Sequence, residues 1–186
     1  MAATASLVAR AGVAGTSLDD VRAVTRTSKS QLYHYFPAGK AELVRAVVRH
    51  QAEAVVAAQR LDDEAPDSEP GLLRWRYRVV AAQRARGFAA GCPLGSLVAE
   101  LAGAPHADDD VRRELATAFA TWQALLAAGL RRGIEAGALP ASLAPDAGAE
   151  ALVAAVQGGS VLAALAGGPA PLQAALDRAI AGLLAG

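Results

Sequence analysis

Apolar residues recur along this chain at steps of three and four, with no stretch of strict alternation, so the pattern reads as helix from end to end. The clearest stripe is Val111, Leu115, Phe119, Trp122, Leu126, Leu130 and Ile134. It predicts a long amphipathic helix, opened by Pro105 and Asp108-Asp109-Asp110 and closed by Gly137 and Pro140. Before it, the pattern predicts a first helix ending at Gly12, with Leu7 and Val8 facing inward. A second is capped by Thr16 or Ser17, with Asp19 and Asp20 in its first turn, and runs to about Thr25. Arg26-Thr27-Ser28 is a tight turn, and a short helix from Lys29 to Phe36 is stopped by Pro37 and Gly39. A fourth helix runs from Lys40 to about Arg60, with Leu43, Val47, Ala54 and Ala58 at helical spacing. Leu61 to Glu69 reads as an acidic linker. Ser68 and Pro70 open a helix to Phe88, and a short one lies around Ser96 to Leu101.

Two further helices close the chain, from Pro145 to Ala166 and from Pro169 to Leu184. Between Ala147 and Leu184 the only charges are Glu150, Asp177 and Arg178, so both helices must be buried on more than one side. Leu152, Val156, Gly159, Leu162 and Leu165, with Leu172, Leu176, Ile180 and Leu183, form apolar faces suited to a four-helix bundle between two copies of the chain. Gly158-Gly159 would let backbones approach closely. The fold class is therefore all-α.

Composition narrows the function. The chain has 186 residues and 53% hydrophobic content, enough for a sizeable core. No uninterrupted apolar run approaches the ~18–20 residues of a membrane span, and no signal-peptide pattern opens the chain. One cysteine, Cys92, excludes an internal disulfide and suits a reducing cytoplasm. His34, His50 and His106 lack metal-ligand spacing, so neither metal nor cofactor is expected. No nucleophile or acid–base constellation is present, which argues against an enzyme.

Net charge is zero but unevenly placed. Residues 1–50 carry seven basic and three acidic side chains, net +4; the remaining 136 carry eleven and fifteen, net −4. This suits a polyanion-binding head on an acidic body. Ser28 to Leu43 concentrates the chemistry. It holds both lysines of the chain, Lys29 and Lys40, and three of its eight aromatics, Tyr33, Tyr35 and Phe36.

A helix, a three-residue turn and a second short helix make a helix-turn-helix, whose second helix enters the major groove. Thr27, Ser28, Lys29, Ser30, Gln31 and His34 would then meet the DNA, with Gln31 bidentate to adenine and Lys29 on guanine. Tyr33 and Tyr35 would donate to phosphate, and Lys40 would draw phosphate to a helix start. Leu32 and Phe36 make the inward face.

Thr16-Ser17-Leu18-Asp19-Asp20-Val21, then Ser28-Lys29, Leu32-Tyr33-His34-Tyr35-Phe36-Pro37 and Lys40-Ala41-Glu42-Leu43, resembles the TetR family of bacterial transcriptional regulators. The resemblance covers residues 7 to 43. It implies a helix-turn-helix head (1–43) and a roughly six-helix ligand-binding and dimerisation body (44–186). It further implies a homodimer on a double-stranded DNA operator, and a small-molecule effector that releases it. Thr16 and Ser17 join the DNA-contact set on this basis, and Arg26, where the family has a turn glycine, joins it as an alternative phosphate contact. Gly91-Cys92-Pro93-Leu94-Gly95-Ser96 is similar to a segment of the LmrA/YxaF-like branch, whose members answer to small aromatic or drug-like compounds.

Two departures stand out. Arg26 replaces the family's turn glycine, at a cost of about 1 kcal/mol if that position needs positive φ. The family's basic arm and first helical turns are missing before Gly12, so the alternative is a small-molecule-binding helical protein that has lost DNA binding. In the alanine-rich body, Trp75, Tyr77, Phe88, Cys92, Leu97, Phe119 and Trp122 are the candidate pocket wall.

Overall fold

The computed structural model describes residues 1–59, 66–89, 91–102 and 109–185. Among these, every regular element is an α-helix: α1 (Ala2–Ala11), α2 (Leu18–Thr25), α3 (Lys29–Tyr35), α4 (Lys40–Ala57), α5 (Glu69–Ala85), α6 (Pro93–Ala102), α7 (Asp109–Glu135), α8 (Pro145–Ala166) and α9 (Ala170–Ala185). The start of the acidic linker at Leu61, and Pro105, His106 and Asp108 before α7, lie outside the described residues.

Local chemistry sets the boundaries. Ser17 and Ser28 each form a capping box, accepting from the N–H three residues on while that residue's side chain accepts from the cap N–H. Ser68 caps α5, with Pro70 in its first turn. Gly167 ends α8 in the left-handed region.

The chain forms two compact units. Unit 1 comprises Met1–Val55 and Pro93–Ala118; unit 2 comprises Val56–Cys92 and Phe119–Gly186. In unit 1, Val21, Leu32 and Leu43 form a buried cluster, with Leu7, Leu18 and Phe36 packed on it. The helix-turn-helix is thus clamped by α1 and the start of α4. Within α4 the inward face is Leu43, Val47 and Val48, whereas Ala54 is exposed, as is Ala58 just beyond the helix. Alanine gains too little from burial to decide which way a helix faces.

In unit 2, α8 and α9 pack along their length. Leu152, Val156, Leu172, Leu176 and Ile180 are buried there within one chain. A Cβ on Gly159 would lie 2.9 Å from Leu172 Cα, so glycine is required for the two backbones to meet. Gly158 faces open space. Arg76 of α5 forks onto Asp177 of α9, 2.7 Å for the outer arm. Among the described residues, α8 is the one helix long and apolar enough to cross a membrane, and 39% of its most apolar window is buried within the chain. Gln157 and the Gly158-Gly159 pair break its apolar run.

Candidate nucleic-acid interface

The recognition element is built from one buried and several exposed side chains. Leu32 is buried and Phe36 half-buried, so they hold α3 to unit 1. Lys29, Ser30, Gln31, Tyr33, His34 and Tyr35 all face outward. Tyr35 is 68% exposed, more than ordinary packing would leave an aromatic. The Lys29 ammonium lies 5.9 Å from the centre of the Tyr33 ring, within cation–π range. The His34 and Tyr35 rings meet edge to face at 5.6 Å. The two turns of α3 therefore expose a cation, an imidazole and two phenols.

The turn before α3 is held by side chains. Arg26 adopts φ 55°, ψ 29°, the left-handed conformation that a turn glycine would take without strain. Thr25 donates to Val21 C=O at 2.7 Å, and its hydroxyl also meets that of Thr27 at 2.8 Å. Ser17 N–H and hydroxyl both reach the Asp20 carboxylate, at 2.9 and 2.5 Å. The hydroxyl bond and then the backbone bond hold Asp20 below the usual carboxylate range. The cap it completes is intact above the ordinary carboxylate pKa and weakens only as pH falls toward the lowered value.

Several predicted contacts sit differently from expectation. Thr16 is 2% exposed and its hydroxyl donates to Gly12 C=O at 2.7 Å, so its side chain faces inward. Gln31 Oε1 accepts from Ser28 N–H at 2.9 Å. A bidentate adenine contact would have to use the second lone pair of that oxygen or replace the cap bond. Lys40 Nζ donates to Ala14 C=O at 3.1 Å. At the start of α4, Glu42 already accepts from Ala38 N–H at 3.0 Å, which places negative charge where phosphate was expected. Ser17 and Ser28 are exposed but serve as caps.

One contact had no sequence signal. Glu100 of α6, in unit 1, accepts from Val13 N–H in the α1–α2 turn. Gly12 (φ 75°) permits this approach, since a Cβ there would lie 3.0 Å from Glu100 Oε2. Lys40 and Glu100 therefore grip adjacent residues of the turn that leads into α2.

The candidate pocket residues separate. Tyr77 is 71% exposed and lines no buried pocket. Leu97 belongs to unit 1, where with Val8, Thr16, Leu43 and Val47 it lines an apolar cavity with room for about one water. Trp75 is buried, and its indole donates to Gln59 Oε1 at 2.8 Å, a complete core arrangement. Phe88, Cys92 and Trp122 are buried in unit 2; Phe119, half-buried, stacks on Trp122 at 6.2 Å. The Trp122 indole N–H has no partner among the described residues.

The family model for a tetracyclin repressor-like C-terminal domain matches residues 72–179, and that of the bacterial regulatory proteins of the tetR family matches residues 1–47. The chain belongs to the TetR family. A TetR-family regulatory protein from Rhodobacter sphaeroides has the same fold (TM-score 0.80, 26% identity, 94% of this chain and 95% of that one). So does a cysteine mutant of the TetR-family regulator CifR complexed with 26-base-pair double-strand operator DNA (TM-score 0.80, 24% identity, 97% and 93%). An uncharacterized HTH-type transcriptional regulator of Lactococcus lactis subsp. lactis is 29% identical over 134 residues, 70% of this chain. The match spans 65% of that relative's length. Within the TetR frame, α2, the Arg26 turn and α3 form the helix-turn-helix.

Proposed function

We propose that this protein is a ligand-responsive DNA-binding transcriptional regulator, a repressor without catalytic activity, acting in the cytoplasm as a homodimer. The reading rests above all on α3, whose exposed row of Lys29, Ser30, Gln31, Tyr33, His34 and Tyr35 stands on buried Leu32. Two copies of α3 would enter successive major grooves of a pseudo-palindromic operator, about 34–36 Å apart. Lys29, with His34 and the Gln31 amino group, would read acceptors on base edges. Arg26, Tyr33 and Tyr35 would hold phosphate. A small apolar or aromatic effector in unit 2 would release the DNA by binding better to a second arrangement of the dimer.

The dimer surface we favour is the outward face of α8. Leu152, Val156, Gly159, Leu176 and Ile180 are spent inside the chain, and Leu183 is half-buried, so they do not supply it. Leu162 and Leu165, the latter 85% exposed, remain from the expected faces and are joined by Val161. With Ala151, Ala154 and Gly158 they form one exposed apolar stripe at helical spacing.

Binding to the protein's own upstream DNA, measured against random duplex across a salt series, tests the reading. Specific binding should exceed random binding by about a thousandfold or more. Lys29→Ala should weaken it and, if Lys29 also neutralises a phosphate, lower the salt slope by about one. Equal affinity for both duplexes would refute DNA recognition and leave a helical small-molecule binder.

A further inference from the structure

A buried polar atom without a partner forfeits its hydration for nothing, so such atoms are rare in native folds. Gln83 Oε1 is one: the residue is 3% exposed and its oxygen has no partner among the described residues. Its surroundings are organised. Gln83 of α5 donates through Nε2 to Ser160 Oγ of α8 at 2.8 Å. One turn earlier on α8, Gln157 Nε2 lies 3.4 Å from Cys92 Sγ. Positions 157 and 160 share a helix face. The chain after α5 also folds back onto Gln83, since Phe88 N–H donates to Gln83 C=O at 3.1 Å. Phe88 is buried with φ 57°, a left-handed conformation that an aromatic residue keeps only where its surroundings impose it.

Three segments of unit 2 therefore converge on amide, hydroxyl and thiol groups beside a strained, buried phenylalanine. Turning the Gln83 amide over does not help: Ser160 satisfies one end and the other stays unpaired. The unpaired Gln83 oxygen can only accept, so a carboxylate, which also only accepts, has nothing to offer it. Arg86 is exposed as a residue, yet desolvation of its guanidinium lowers its pKa, and Cys92 opposes that shift in smaller measure.

We infer that this cluster is the polar floor of the effector site, selective for uncharged, mainly apolar molecules that donate one hydrogen bond, of which phenol is the simplest. Gln83 is the specificity-determining residue: its free carbonyl accepts the ligand's hydroxyl proton while Ser160 holds its amino end. The inference rests on the ligand-responsive reading above and adds the effector's chemical class.

Binding of phenol, toluene and benzoate to the full chain is compared by titration and thermal shift. Phenol should bind on the order of tenfold more tightly than toluene, the worth of one buried hydrogen bond. Benzoate should bind more weakly than phenol. Gln83→Leu should abolish the preference for phenol over toluene while toluene still binds. Gln83→Met makes the same test with an unbranched stem if the leucine variant does not fold. Ser160→Ala should keep the preference, because the accepting oxygen remains. Equal binding of phenol and toluene, tighter binding of benzoate, or no binding of any would overturn the inference. In the last case an ordered water serves the amide. If phenol binds in a Gln83-dependent way yet leaves affinity for the upstream DNA unchanged, the site stands and the release mechanism falls.

Discussion

Arg26 carries two opposed effects on one side chain. Its φ of 55° is a conformation in which a Cβ crowds the backbone, while its exposed guanidinium stands at the entrance to α3. Arg26→Gly should therefore raise stability by about 1 kcal/mol, seen as a higher midpoint in urea. It should also weaken DNA binding and flatten the salt dependence by about one unit if the guanidinium neutralises a phosphate. A lower urea midpoint would mean that the arginine side chain makes a stabilising contact outweighing its strain. The positive φ was suggested only by the glycine that the TetR family places at this position, since the residue types Arg26-Thr27-Ser28 do not themselves call for it. The fates of Thr16 and Gln31 were not legible in the sequence. A threonine or glutamine beside a helix start can cap it, bury itself or face DNA, and only the atoms around it decide among these.

At the scale of elements, the α1–α2 turn is held by polar groups from two other helices. Lys40 of α4 donates to Ala14 C=O, and Glu100 of α6 accepts from Val13 N–H. Glu100→Ala leaves that N–H to water and should lower stability by about 1 kcal/mol, the usual net worth of one such bond. It should also weaken DNA binding, because the turn aims α2 and hence α3. Glu100→Gln keeps an accepting oxygen and should behave close to the native protein. Thermal melts and affinity for the upstream DNA, measured on both variants, check this. Similar losses in the two would show that the negative charge, and not the hydrogen bond, matters. The helices were visible in the pattern of apolar steps, and their ends in serine caps, prolines and glycines. The Glu100 contact joins residues 87 apart. Nothing in the pattern of α6 distinguishes this glutamate from a solvated one.

At the scale of the whole molecule, the exposed stripe on α8 bears on assembly. The native chain should be a dimer by light scattering at micromolar concentration. Leu162→Glu with Leu165→Glu should make it monomeric, since both side chains are exposed within one chain and charge would be buried unpaired across a bundle. A native monomer would remove the bundle. The sequence by itself determined the all-helical class, the order and approximate ends of the helices, and the helix-turn-helix with its inward Leu32 and Phe36. These follow from periodicity and capping, which act over a few residues. Only the tertiary structure decided which apolar faces of α8 and α9 are consumed within the chain, that Tyr77 lies outside and Trp75 is a satisfied core residue. It also decided that Gln83, an amide on a mostly apolar helix face, is buried with one end unpaired. Those outcomes depend on which face of each helix meets another helix, and an alanine-rich sequence, with several nearly equivalent apolar faces, leaves that choice to packing.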